Sequence, residues 1–174
     1  TLASGQSFRW KKRDGKWSGW ADDAPAECWV EEDKLCIETP AKNKEFFENY
    51  FGLDHDLPAT YAALSHDSHL RILFEKHRGL RLMNQNPWQC LVSFVLSQQS
   101  TIPLIEKRVA WLCEEYGEGA FPTPEQLAEA SEQELREARF GYRAKYLPAL
   151  AREVLEKSNV STSKSPSPST SSIV

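Results

Sequence analysis

A change of hydrophobic period near Asn43 constrains this chain more than any other feature. Before it, apolar and polar residues alternate in short runs: Gln6-Ser7-Phe8-Arg9-Trp10, Lys16-Trp17-Ser18-Gly19-Trp20, Glu27-Cys28-Trp29-Val30 and Lys34-Leu35-Cys36-Ile37-Glu38. Period two puts successive side chains on opposite faces, which predicts half-buried antiparallel strands. Asp14-Gly15 supplies a tight turn, because Gly accepts the positive φ a hairpin needs, and Glu32-Asp33 marks a second. After Asn43 the period becomes helical. Lys44–Phe51 stops at Gly52, Pro58 opens a helix through Leu64, and Asp67 or Ser68 caps another that runs toward Gly79.

Asn86-Pro87 then starts the most apolar segment, Trp88–Leu96, which is apolar nearly all round and is expected to be central and buried. It ends in the polar run Ser97-Gln98-Gln99-Ser100-Thr101. Ile102–Tyr116 reads as an amphipathic helix, Thr123–Ala130 and Ser131–Ala138 as two short capped helices, and Ala144–Lys157 as a last helix with Pro148 near its start. A sheet followed by helices makes the fold class α+β. Ten of the last 17 residues are Ser or Thr and two are Pro, so residues 158–174 are expected to be a disordered tail.

Composition narrows the function classes. With 21 Lys and Arg against 25 Asp and Glu, the net charge of −4 excludes a bulk polycation while leaving room for a local basic patch. No run approaches the ~20 apolar residues of a membrane span, no signal peptide is evident, and the chain opens at Thr1, as a fragment would. The four Cys lack a CxxC pair or a neighbouring His, so no metal site or cofactor is expected, and the thiols read as intracellular. There is no phosphate loop, HExxH or GxSxG. The four His read as surface residues, and Asp22-Asp23 and Glu31-Glu32-Asp33 as turn charges.

Three polar segments remain. In Ser4-Gly5-Gln6-Ser7-Phe8-Arg9-Trp10 a Gly precedes an expected strand and allows close approach of backbone to a ligand. Ser97–Ser100 puts amides at a helix end. Gly141-Tyr142-Arg143-Ala144-Lys145-Tyr146 combines aromatic and basic groups, as a nucleic-acid wedge requires. Each also has an ordinary reading: a strand entry, a bonded helix end, and a solvated helix start.

Together with Gly79-Leu80-Arg81-Leu82 and Asn86-Pro87-Trp88-Gln89-Cys90-Leu91-Val92-Ser93-Phe94, these segments resemble the 8-oxoguanine DNA glycosylases of the helix-hairpin-helix superfamily, over about residues 1–157. The resemblance implies a sheet-containing N-terminal domain at 1–80 and the first helices of a catalytic domain at 81–157. It implies an N-glycosylase and abasic-site lyase that flips an oxidised purine out of duplex DNA, monomeric, and nuclear or bacterial-cytoplasmic. By resemblance, the Gly5 carbonyl accepts from N7–H of the oxidised base. Gln99, where the family usually has Asn, fills the vacated space. Tyr142 wedges the stack and Arg143 reads the orphaned cytosine. Leu104 stands where a second cytosine-reading Arg is usual. The family's catalytic Lys lies in a Leu-Pro-Gly-Val-Gly-like hairpin with an Asp further on. Neither is found here, and Lys107 and Lys145 lie in the wrong blocks, so no catalytic residue is assigned and the chain is expected to be inactive alone. An alkylated-base glycosylase, favoured by Gln98-Gln99 and Leu104, and a non-catalytic DNA-binding or protein-interaction module are the competing readings.

Overall fold

The computed structural model describes residues 1–40 and 42–162. They form two compact units that divide between Ala110 and Trp111. The fold is α+β, as expected.

The first unit opens with a 3₁₀ turn, Leu2–Ser4, and continues into a four-stranded antiparallel meander: β1 (Trp10–Arg13), β2 (Lys16–Ala21), β3 (Ala24–Glu31) and β4 (Lys34–Glu38). Asp14 and Gly15 turn β1 into β2 with φ of 49° and 83°, and Glu32 and Asp33 turn β3 into β4 with φ of 48° and 59°. Mirror-image turns of this kind match the right-handed twist of the strands they join. The alternation sends Trp10, Ala21, Ala26 and Cys28 to one face of the sheet, where they meet Phe47, Tyr50 and Phe51 of helix α1 (Lys44–Tyr50) and its C-cap. The Trp10 indole N–H donates to the Tyr50 hydroxyl at 3.0 Å, so the large polar atoms of this core satisfy one another. Burial pushes the Cys28 thiol up to about 11, which keeps it protonated and inert.

One expected strand does not form. Gln6–Arg9 is irregular, because its polar groups are committed elsewhere. The Gln6 side chain donates to the Arg81 carbonyl (2.9 Å) and accepts from the Met83 amide (3.0 Å), while the Gln6 carbonyl accepts from the Gln85 side chain (2.7 Å). A residue that clamps a segment nearly eighty positions away cannot also join a neighbouring strand's ladder.

Helices α2 (Leu57–Leu64) and α3 (Ser68–Lys76) follow, capped by Asp56 and Asp67. Asn86 caps α4 (Pro87–Ser97), its side chain accepting from the Trp88 and Gln89 amides. α4, expected to be central and buried, is buried on one side only. Val92 and Leu96 are buried, whereas Phe94 is 67% exposed. The described residues cover one side of a helix that is apolar on several. α5 (Ile102–Glu115) carries the chain out of this unit, burying Ile105 and Val109.

The second unit is helical. A capping box joins Thr123 and Gln126 at the start of α6 (Pro124–Ala128), and Ser131 caps α7 (Glu132–Glu137). Both pack on α8 (Arg143–Thr162), around Leu127, Leu135, Phe140, Leu147 and Ala151. α8 runs to Thr162, five residues into the segment expected to be a tail; residues 163–174 lie outside the described residues. The boundary expected at residue 80 falls inside the first unit. Among the described residues no helix is long and apolar enough to cross a membrane, and no three His, Cys, Asp or Glu side chains gather as a metal cluster.

Candidate nucleic-acid interface

Gly5 ends the opening 3₁₀ turn in the left-handed conformation, with φ 79° and ψ 16°. That conformation costs an L-residue roughly 1–2 kcal/mol, which accounts for the Gly. A Cβ placed there would lie 3.2 Å from Cδ1 of Ile102, so the Gly5 backbone closely approaches the start of α5. Both flanks are tied down. The Ser4 hydroxyl donates to the Thr1 carbonyl at 2.6 Å, and Gln6 holds the 81–85 segment as described. Arg81 extends the clamp, its guanidinium donating to the carbonyls of Gly52 and His55. The Gly5 carbonyl thus sits on a braced backbone rather than a loose loop.

The start of α4 is braced as well, by Asp22, whose sequence context suggests only a turn charge. The Asp22 carboxylate accepts from the Asn86 amide at 2.9 Å, and the Asp22 carbonyl accepts from Arg9 at 2.7 Å. Partial burial raises the Asp22 pKa, with the Asn86 hydrogen bond opposing. Asp22 is therefore more than a turn charge. It ties the β2–β3 turn to the helix whose other end carries Gln99. Its signal in the sequence is an Asp at a tight turn, which has no distance information in it.

Gln99 lies exposed in the α4–α5 loop with φ 46°. Left-handed backbone suits Asn better than Gln, since the shorter amide bonds locally to its own backbone. Around it, the Ser97 hydroxyl donates to the Phe94 carbonyl (2.7 Å) and Arg108 donates to the Ser100 hydroxyl (2.9 Å). Leu104, one turn into α5, is 45% exposed and offers no hydrogen-bond donor. Gly5 and Gln99 belong to the same unit, and the loop after Gln99 leads directly into the residue that Gly5 approaches.

Tyr142 and Arg143 belong to the second unit. Left-handed Arg139 and Gly141 flank fully buried Phe140, whose ring lies 5.3 Å from Trp111. This anchored turn delivers Tyr142 at the mouth of α8. Tyr142 is 43% exposed and edge-on to Tyr146 at 6.3 Å. Arg143 does not project into solvent as a residue at a helix start would. It is 4% exposed, its Cζ lies 4.7 Å over the Tyr142 ring, and Nε and Nη2 have no hydrogen-bond partner among the described residues. Buried guanidinium donors are costly when unpaired, so this arrangement can receive an acceptor at little further cost in desolvation.

Comparison with known proteins places both segments of the chain in one repair family. Residues 1–91 match the family described as 8-oxoguanine DNA glycosylase, N-terminal domain, and residues 92–168 match the HhH-GPD superfamily of base excision DNA repair proteins. The N-glycosylase/DNA lyase of Saccharomyces cerevisiae is 32% identical over 123 residues, 64% of this chain and 33% of the yeast protein. The Arabidopsis thaliana N-glycosylase/DNA lyase OGG1 is 28% identical over 170 residues, 84% of this chain and 45% of its own. The chain thus spans less than half the length of these relatives. Among solved structures, MBOgg1 in complex with a low-affinity DNA ligand superposes with a TM-score of 0.82 at 32% identity, covering 91% of this chain and 59% of that one. The Clostridium acetobutylicum 8-oxoguanine glycosylase/lyase, bound to duplex DNA with cytosine opposite 8-oxoG, gives 0.80 at 29%, covering 88% and 57%.

Proposed function

We propose that this chain, which belongs to the 8-oxoguanine DNA glycosylase family, works in the removal of oxidised purines from duplex DNA by base extrusion. The observation that carries the reading is the left-handed, braced Gly5 inside the family's opening segment. A backbone carbonyl held there accepts from the N7–H of an oxidised guanine. Ordinary guanine has no hydrogen on N7, so the same carbonyl would meet a lone pair. A site built for a donor rejects the analogue that lacks it by orders of magnitude.

Extruding a base costs a few kcal/mol of stacking and pairing. Tyr142 offsets part of this by entering the vacated stack, with Gln99 filling space beside the orphaned base. The buried Arg143 guanidinium pairs with that base's acceptors, gaining the hydrogen bonds that Nε and Nη2 lack among the described residues. Leu104 supplies no second guanidinium, so discrimination among opposite bases rests on Arg143 alone and is looser than two such donors would give. The 174 residues contain no Gly-rich hairpin with a Lys and an Asp, so attack on the sugar C1′ is not assigned to any side chain here.

Fluorescence anisotropy with duplexes carrying 8-oxoG·C or G·C, followed by borohydride trapping, tests the reading. The expected result is preferential binding of the lesion duplex with no trapped adduct. Equal affinity for both duplexes would overturn lesion recognition. A covalent adduct would instead show that an amine within these residues acts as a substitute nucleophile.

A further inference from the structure

The sheet has a second face, turned away from the α1 core, and its composition is unlike the rest of an acidic chain. The register places Lys11, Ser18, Glu27 and Glu38 in one cross-strand row of that face. Trp20, paired with Pro25, lies on one side of this row, and Trp29, paired with Cys36, on the other. Each indole carries a cation: the Arg9 guanidinium lies 4.8 Å from the Trp20 ring and the Lys16 ammonium 4.1 Å from the Trp29 ring. An open depression of about 600 Å³ lies toward the Pro25 and Thr39 end of the sheet, lined by Ser18, Pro25, Glu27, Glu38 and Thr39 among others, and neither Trp lines it. Both Trp are only partly buried, although a sheet of this size could face water with small polar residues alone.

We propose that this face binds single-stranded DNA, separately from the lesion-recognition residues. Aromatic side chains on a sheet surface stack bases of any sequence, and neighbouring cations take the phosphates. From Lys16, beside Trp29, to Trp20 is four residues of β2. At about 3.4 Å per residue the two indoles stand roughly 14 Å apart along the strands, room for a few stacked nucleotides. Arg9, Lys11, Arg13, Lys16 and Lys34 outnumber Glu27, Glu31 and Glu38 on this face and provide phosphate contacts in a chain whose net charge is −4. The carboxylates in the depression add selectivity. Glu27, which accepts from the Ser18 hydroxyl at 2.8 Å and lies 4.0 Å from the Lys16 ammonium, and Glu38 have further acceptor capacity and no donor, which suits the exocyclic amino groups of cytosine and adenine and not the carbonyl edge of thymine. The choice of DNA over RNA rests on the proposed repair function; the surface itself does not.

The test titrates the 174-residue chain with dC12, dT12 and rC12, read by Trp fluorescence quenching and by anisotropy of end-labelled strands. Expected is binding of dC12 that is tighter than dT12 and weakens with salt. The double variant W20A/W29A should lose at least about tenfold in affinity for dC12, the scale of lost base–aromatic stacking. Its thermal transition should stay cooperative, though at a lower midpoint, and its binding to the 8-oxoG·C duplex should be unchanged. E27Q/E38Q should erase the preference for dC12 over dT12. Unaltered dC12 binding in W20A/W29A, or equal loss in Y142A, would place the strand elsewhere and overturn the proposal. Tighter binding of rC12 would overturn the assignment to DNA. Lesion-duplex binding is scored separately, so failure of the glycosylase reading and failure of this one are distinguishable.

Discussion

Replacing Arg143 by Met should make the folded chain more stable while weakening its hold on lesion DNA. Arg143 is 4% exposed, and two of its nitrogens have no hydrogen-bond partner among the described residues. An unmade hydrogen bond on a buried donor costs about 1–3 kcal/mol, so the pair costs about 2–6 kcal/mol. The Tyr142 ring, 4.7 Å from Cζ, returns about 0.5–2 kcal/mol as a cation–π contact. Met keeps an unbranched stem of similar length and removes both the charge and the donors. After allowing for lost packing at the guanidinium, the expected gain is about 2 kcal/mol, in line with other buried ions replaced by apolar residues. For a chain of this size that raises Tm by about 4–8 °C. Urea unfolding should show a higher midpoint at an unchanged slope, which separates a stability change from a change in denatured-state compactness. Arg143→Lys, which keeps a buried charge, should bring no such gain. Anisotropy with the 8-oxoG·C duplex should show Arg143→Met binding more weakly than the parent. If Arg143→Met instead loses 1 kcal/mol or more of stability, the guanidinium is satisfied in the free protein and the argument from unpaired donors fails.

Two further outcomes follow from the braced segments. Gly5→Ala should lower stability by about 1–2 kcal/mol in urea, because φ 79° strains an L-residue and the new Cβ presses on Ile102; an unchanged midpoint would mean that Gly5 is not held left-handed. Asp22, whose pKa is raised by burial, binds its proton more readily in the folded chain than in the unfolded one. Stability from this group is therefore fully present below the unfolded carboxylate pKa and is lost as pH rises through the folded value. Asp22→Asn keeps an acceptor for the Asn86 amide and cannot titrate, so the parent-minus-variant difference in unfolding midpoint should become more favourable to the parent as pH falls from 7 toward 4. A pH-independent difference would refute the titration.

What the sequence made legible is what local geometry determines. Period two is a property of adjacent residues, and it located β2, β3 and β4 and the turns at Asp14-Gly15 and Glu32-Asp33. Caps are equally local, and Asn86, Thr123 and Ser131 each accept from amides two or three residues onward. The misreadings share the opposite property. Gln6 sits in an alternating run, yet its partners at 81, 83 and 85 were far beyond any window of periodicity, and they turned an expected strand into a clamp. An Asp at a tight turn predicts a turn charge, and its bond to Asn86, 64 residues away, leaves no local trace. Apolar content placed α4 in a core without saying which faces would find neighbours.

Arg143, proposed above as a contact to the orphaned base, shows why such residues are hard to place from sequence. Residue type argues that an Arg at a helix start is solvated, because burial of an unpaired guanidinium opposes folding. A binding site inverts that preference, since a donor left unpaired in the free protein is a donor available to a ligand without the cost of breaking an existing bond. The positions at which local rules misplace a polar side chain are thus the ones to examine for recognition. Gln99 fits the same pattern: it occupies a left-handed backbone position that its own side chain does little to favour, in a loop anchored on both sides by Ser97 and by Arg108 on Ser100. The surrounding bonds hold the strain, and the exposed amide stays free to reach outward from the loop.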